Sequence, residues 1–244
     1  MHPIEQLRYV ARASGADAGL LVQEATSALS YFDREPHALV TAGRRLLTRQ
    51  PAVGPLWWMA GRLCTAMDPR AEARDILDEL YGDPTPKELA HGLPSDARVL
   101  ISGWPDQTLS ALPRRGDVSV LVLDVEGQGH SVVRRLERAD MIVEDVDPAH
   151  VAGAVEESTH VVVEAAALGP AAALVDVGSV AAAAVAKASH TPVWLVAGVG
   201  RHLPEVYWQA VVERTADPDR PAFVAPFEVL SLGLVDRIVG PTGV

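Results

Sequence analysis

Three features of this chain have residue types and places that could do chemistry. The first is Gly178-Ser179, which stands between two β-branched apolar runs, Val161 to Val163 and Val193 to Ala197, in the stretch HVVVEAAALGPAAALVDVGSVAAAAVAKASHTPVWLVAGVGR. Both runs read as strands buried on two faces. The Ala-rich segment between them reads as a helix that Ser179 can cap and that runs to Ser189. Parallel strands joined by a crossover helix bind ligands beyond their carboxyl ends, with phosphate held at a helix N-terminus. The second feature is Arg201, whose guanidinium fork suits a carboxylate or phosphate, or else lies solvated at the surface. The third is Glu164, a strand-end carboxylate that serves either proton transfer or as partner to a loop or helix start.

The elements that must position these residues change character near residue 92. Ahead of it Ile4 to Ala13, Asp17 to Asp33, Pro36 to Thr48, Pro55 to Met67 and Ala71 to Leu80 carry apolar residues three and four apart, the period of amphipathic helices. Beyond it short apolar strands alternate with helices: Arg98 to Ser102, Ser119 to Leu123, Met141 to Val143, His160 to Glu164 and Val193 to Ala197. The turn-rich stretch His91-Gly92-Leu93-Pro94-Ser95 falls between them. The expected fold class is α/β, with an N-terminal helical domain over 1–92 and a parallel α/β domain over 93–244.

Composition narrows the function classes. With 32 acidic against 21 basic residues the net charge is −11, and a nucleic-acid partner is not expected, because phosphate backbones need clustered cations. The N-terminal segment carries Glu5, Arg8 and Arg12 and lacks the apolar core of a signal peptide, and the longest Ala/Val-rich tract is cut by Gly169-Pro170, Asp176 and Gly178. Neither a leader nor a membrane partner is expected. The single cysteine, Cys64, excludes an internal disulfide and any multi-cysteine zinc site, and a cytoplasmic location is the simplest expectation.

Other candidate groups have plain structural readings. Cys64 falls in the helical pattern PLWWMAGRLCTAM and reads as a packed thiol. His150, His160, His190 and His202 have no metal-ligand spacing, and neither a metal nor a cofactor is expected. His130 reads as a partly exposed residue at a helix start, and Asp145-Val146-Asp147 as a pair that caps the following helix. Leu56, Trp57 and Trp58 read as anchors between helices and sheet or between subunits.

Several motifs together give a resemblance. Arg49-Gln50-Pro51-Ala52-Val53-Gly54-Pro55-Leu56-Trp57, the run VVVEAAAL, Val177-Gly178-Ser179, Pro192-Val193-Trp194-Leu195-Val196, Arg201 and the closing FEVLSLGLVDRIVGPTGV follow one another as the corresponding segments do in a known family. That is the family of translation initiation factor 2B alpha, beta and delta subunits, which also holds methylthioribose-1-phosphate and ribose-1,5-bisphosphate isomerases. The chain resembles it over roughly residues 38 to 244. The resemblance implies a Rossmann-like α/β domain of the NagB/RpiA/CoA-transferase-like type. It also implies a homodimer, for which Phe223-Val224-Ala225-Pro226 and Val235 to Val239 offer closing strands, and a small phosphorylated ligand.

The family's chemistry carries over poorly. Its isomerases move a proton between sugar carbons with an aspartate in a G-A-D triplet and a cysteine in the loop after the first strand of the α/β domain. The triplet matches Glu164-Ala165-Ala166, which puts alanine at the acid position. The loop, Ser102-Gly103-Trp104-Pro105-Asp106-Gln107, has no cysteine. Asp124-Val125-Glu126-Gly127 stands for an arginine-containing segment without its arginine, and Asp176 stands where the family has a cation ahead of its G-T. The ligand-site candidates implied are Ser102, Gly103, Asp176, Gly178, Ser179 and Arg201, and the catalytic candidates Glu164 and Asp124. Two functions remain open: a non-catalytic regulatory or scaffolding protein that binds a sugar phosphate or nucleotide, or an aldose–ketose sugar-phosphate isomerase with a rearranged site.

Overall fold

The computed structural model describes residues 17–125, 127, 129–216, 219, 221 and 224–243, together with Glu5 and Val10. The helix expected over Ile4 to Ala13, apart from those two residues, lies outside the described residues, as do Glu126, Phe223 and Val244.

From Asp17 onward the described residues form four amphipathic helices ahead of the sheet region: α1 (Ala18–Leu29), α2 (Pro36–Arg49), α3 (Gly54–Thr65) and α4 (Pro69–Tyr81). Asp17 accepts from Leu20 N to start α1, and Asp68 from Arg70 and Ala71 N to start α4, while Pro at the first turn starts α2 and α3. Their apolar stripes meet in one cluster around Leu29, Leu56, Met59, Leu63 and Ile76, all essentially inaccessible. Burying each such side chain stabilises by ~1.5–3 kcal/mol. A fifth helix, α5 (Thr85–Gly92), was not legible as one, and it packs Leu89 and Ala90 on the sheet instead of on the other four.

The sheet follows. Its strands are β1 (Arg98–Ser102), β2 (Ser119–Leu123), β3 (Ile142–Val146), β4 (His160–Leu168), β5 (Ala172–Asp176), β6 (Val193–Val196), β7 (Phe227–Ser231) and β8 (Arg237–Val239). The parallel part runs β3-β2-β1-β4-β6-β8, with the order reversing between β1 and β4. The helices between strands are α6 (Asp106–Ala111), α7 (Gly129–Glu137), α8 (Val151–Glu157), α9 (Ser179–Ser189) and α10 (Glu205–Thr215). Side-chain alternation sorts the layers: Val99, Ile101, Val162, Trp194 and Val196 face α5, α6 and α7, while Leu100, Val161, Val163, Val193 and Leu195 face α8 and α9. The result is an α/β fold in which a Rossmann-like parallel sheet follows a run of helices.

Two departures from the sequence reading shape the site. The segment between β4 and α9, in which the sequence shows no strand run, contains β5, which turns back antiparallel to β4 and pairs with β7. β4 itself runs four residues past Glu164, and its register slips between Ala165 and Ala167. The start of α3 rests on that slip: a Cβ on Gly54 would sit 2.6 Å from the Ala166 carbonyl oxygen. Trp57 then packs with Ala167, Leu174, Leu203 and Trp208, so it does anchor helices to sheet. Smaller differences concern ends. The third strand begins at Ile142, Asp145 lies within it, and only Asp147 caps the short turn that follows. Val224 to Pro226 lead into β7 without forming a strand.

Candidate functional site

The carboxyl ends of β1, β4 and β6 meet at the reversal of strand order, the place where open α/β sheets bind ligands. Alternation along β4 sends Glu164 to the same side as Val162, toward α6. There its carboxylate accepts hydrogen bonds from the backbone N–H of Gln107 (3.0 Å) and Thr108 (3.0 Å) and from the Thr108 hydroxyl (3.2 Å). Those are the donors at the start of α6 that an external anion would use.

Arg201 closes the arrangement. Asp83 accepts from Val199 N at 2.8 Å and so ties down the loop after β6. Leu168 N donates to the Arg201 carbonyl at 2.7 Å, which lays the residue back along β4. Its guanidinium then pairs with Glu164 at 2.8 Å and donates to the Ala165 carbonyl. Both side chains are 7% exposed. Burial pushes the Glu164 carboxyl up from its ordinary value, while Arg201 and the N–H groups of Thr108 and Gln107 pull it back. A buried pair with this many donors is held in one geometry, and removing either member leaves an uncompensated charge.

The other candidates are engaged in the same way. Asp124 accepts from Gly129 N at 2.7 Å, at the start of α7. Ser179 does not cap α9: Gly178, in the left-handed region, takes that place, and the Ser179 hydroxyl instead meets the Ser102 hydroxyl at 2.9 Å. Glu228, on β7, accepts from Val180 N at 3.0 Å in the first turn of α9. Asp176 reaches across to Trp104 N at 3.4 Å, and a Cβ on Gly103 (φ +67°) would lie 2.2 Å from its carboxylate. Three helix starts along this edge, those of α6, α7 and α9, thus hold carboxylates of the chain itself.

Beside this filled edge lies a cavity of about 340 Å³, bounded by Asp17, Tyr81, Asp106, Gln107, Ser110 and Arg201 among others. Gly178, Ser179 and Ser102 are not in its lining, so Arg201 and the Gly-Ser pair do not share it. Asp106 stands out. One carboxylate oxygen accepts from Ala18 N at 3.2 Å, and the other is buried without a hydrogen-bond partner. Burial first, then the charges of Asp17 and Glu164, push its pKa up to about 6, against Ala18 N–H and Arg201. Asp106 was in view as part of the loop but not singled out, because its neighbours come from α1 and β4, far away in sequence. The Pro105-Asp106 pair, a common helix start, was the available signal.

The remaining groups add no site. Cys64 is exposed on α3 and not packed into the core as expected; partial burial of its sulfur pushes the thiol pKa up, against the charge of Arg44. His130 is exposed, 3.5 Å from Asp145. No three metal-ligating side chains cluster among the described residues, and no described helix is long and apolar enough to cross a membrane.

The sequence matches no protein-family model and no curated protein. The structure does have likenesses. A translation initiation factor eIF-2B from Pyrococcus horikoshii OT3 superposes with a TM-score of 0.83 at 14% identity, over 99% of this chain and 95% of that one. A chain of the tetrameric eIF2B-beta2-delta2 complex from C. thermophilum gives 0.73 at 16% identity, over 99% and 89%. The 5-methylthioribose 1-phosphate isomerase from Pyrococcus horikoshii OT3 gives 0.70 at 13% identity, over 99% and 83%. At these identities the likeness is one of fold, and it is the fold that the sequence motifs implied.

Proposed function

We propose that this chain is a non-catalytic, initiation factor 2B-like protein of the cytoplasm, regulatory or scaffolding, that works by self-association as a homodimer. In this reading 1–92 is a helical domain and 93–244 the α/β domain that carries the contact. The observation that carries the proposal is the buried Glu164–Arg201 pair seated on the start of α6. A sugar phosphate there would have to displace Glu164 from its N–H donors and face Asp176 and Asp124 besides, an adverse field for an anion. Ala166, at the position of the isomerases' acid, has no proton to move.

An isomerase would need Glu164 or Asp124 as its base. Each accepts backbone N–H bonds that hold a helix start, and Glu164 is neutralised by Arg201. Self-association draws support from exposed apolar side chains on the closing strands, Val229 and Ile238, and from the oligomeric state of the tetrameric beta2-delta2 complex.

Two measurements test the reading. Ribose 1,5-bisphosphate and methylthioribose 1-phosphate at millimolar levels are expected to leave the melting temperature unmoved and to pass unchanged through incubation with the protein. Turnover of either would overturn it. Size-exclusion with light scattering is expected to give a dimer, and a monomer would remove the self-association part.

A further inference from the structure

We infer that two copies of this chain join through the outer edge of β7. The two β7 strands lie side by side and antiparallel about a two-fold axis at Val229, so that the antiparallel extensions of both sheets become one. The homodimer reading is the premise, and β7 supplies its contact.

Three strands, β3, β7 and β8, have a neighbour on one side only among the described residues. A free edge is a template for another strand unless something guards it. β3 is guarded by charge, with Glu144 and Asp145 in succession. β8 is three residues long, too short to hold a partner by itself. β7 has five residues, Phe227-Glu228-Val229-Leu230-Ser231, with neither lysine nor proline and no slip in its register. Its single charge is turned to other work: the Glu228 carboxylate accepts from Val180 N at 3.0 Å, at the start of α9. Val229, in the middle of this unguarded edge, is 51% exposed.

The register shows what the edge offers. At the two ends of the β5–β7 ladder Val177 N donates to the Pro226 carbonyl at 3.1 Å and Leu232 N to the Ala171 carbonyl at 3.0 Å. Between them the pairing is unbroken, from Asp176 opposite Phe227 to Ala172 opposite Ser231. Residues along an antiparallel strand alternate in the side to which they turn their backbone groups. Glu228 and Leu230 therefore turn theirs to β5. Phe227, Val229 and Ser231 turn theirs outward, where no described residue meets them. A two-fold axis at Val229 sets this residue opposite its own copy, and Phe227 opposite the copy's Ser231. Every outward N–H then meets an outward C=O, the self-complementarity that an isologous contact needs. Glu228 falls opposite Leu230, so no like charges meet across the pair, and the two valines pack side by side as β-branched residues do on a pleated face.

The test uses the full chain, followed by light scattering and by disulfide trapping in a Cys64→Ser background. Val229→Pro removes an outward N–H and leaves the bonds of β7 to β5 in place. It is expected to be a folded monomer at concentrations where the unaltered chain is a dimer. Val229→Cys is expected to link into a covalent dimer on mild oxidation, since directly opposed strand residues lie about 5.5 Å apart, within disulfide reach. Ile142→Cys and Ile238→Cys, exposed positions on the other two edges, are expected to stay unlinked. A folded Val229→Pro that remains a dimer, or a Val229→Cys that links no faster than the other two, overturns the β7 contact and leaves self-association standing. A monomeric unaltered chain overturns both. If Val229→Pro fails to fold, the three cysteine variants decide.

Discussion

Glu164 and Asp106 face the same helix start and have opposite surroundings. Glu164 comes from a central strand, meets three N–H and O–H donors and a guanidinium, and is closed to solvent. Asp106, in the first turn of that helix, has one donor, two like charges nearby and an oxygen with no partner. The first carboxylate completes the framework and the second opens onto a cavity. Helix starts at a sheet's carboxyl edge are therefore not vacant anion sites by default; whether they are depends on which carboxylates the chain itself brings there.

The largest expected effect comes from breaking the filled side. Arg201→Ala should cost about 3–5 kcal/mol in urea unfolding, because it strands a buried carboxylate. The double variant Glu164→Gln with Arg201→Met should recover much of that loss. An Arg201→Ala loss no larger than that of a surface arginine would mean that the pair does not hold the edge. Next comes the seat beneath it: Gly54→Val should cost ~1–3 kcal/mol, since its Cβ would run into the Ala166 carbonyl at the slip in β4. An unchanged urea midpoint would mean that α3 does not rest on that slip.

The cavity side should respond with opposite sign. The folded-state pKa of Asp106 lies above its unfolded value, so the native chain binds the extra proton between about pH 4 and 6 and stability falls as pH rises through that window. The penalty is then present in full at neutral pH. The shift corresponds to up to ~3 kcal/mol, and partial solvent contact brings the expected gain from Asp106→Asn to about 1–2 kcal/mol. That gain should appear at neutral pH and vanish near pH 4, as melting curves of the two proteins would read. The smallest effect belongs to the Ser102–Ser179 contact, where Ser102→Ala should cost about 0.5–1 kcal/mol in the same denaturation assay. A loss of several kcal/mol there would place the hydroxyl pair among the main supports of the edge.

Much of the framework was legible because it is local. β1, β2, β4 and β6 announce themselves by β-branched runs, and α1 to α4 by apolar spacing three and four apart. β5 was hidden because AAALVD follows Gly169-Pro170 and is half alanine, which marks a strand weakly. The short α6 was hidden because six residues give too little period to read. For the site, both readings of Glu164 were visible from its place at a strand end. The choice between them rested on donors 57 residues away at Gln107, which no local pattern displays. Arg201 reads from the sequence either as a fork for a ligand's carboxylate or phosphate or as a solvated surface residue; in the structure it is buried and its partner is the chain's own Glu164.

The claim that the edge is closed is tested most directly by calorimetric titration of the full chain with methylthioribose 1-phosphate at neutral pH, beside Glu164→Gln. The account predicts no binding heat for the unaltered chain up to millimolar ligand. Binding to the unaltered chain with a Kd below about 1 mM, lost in Arg201→Ala, would contradict it.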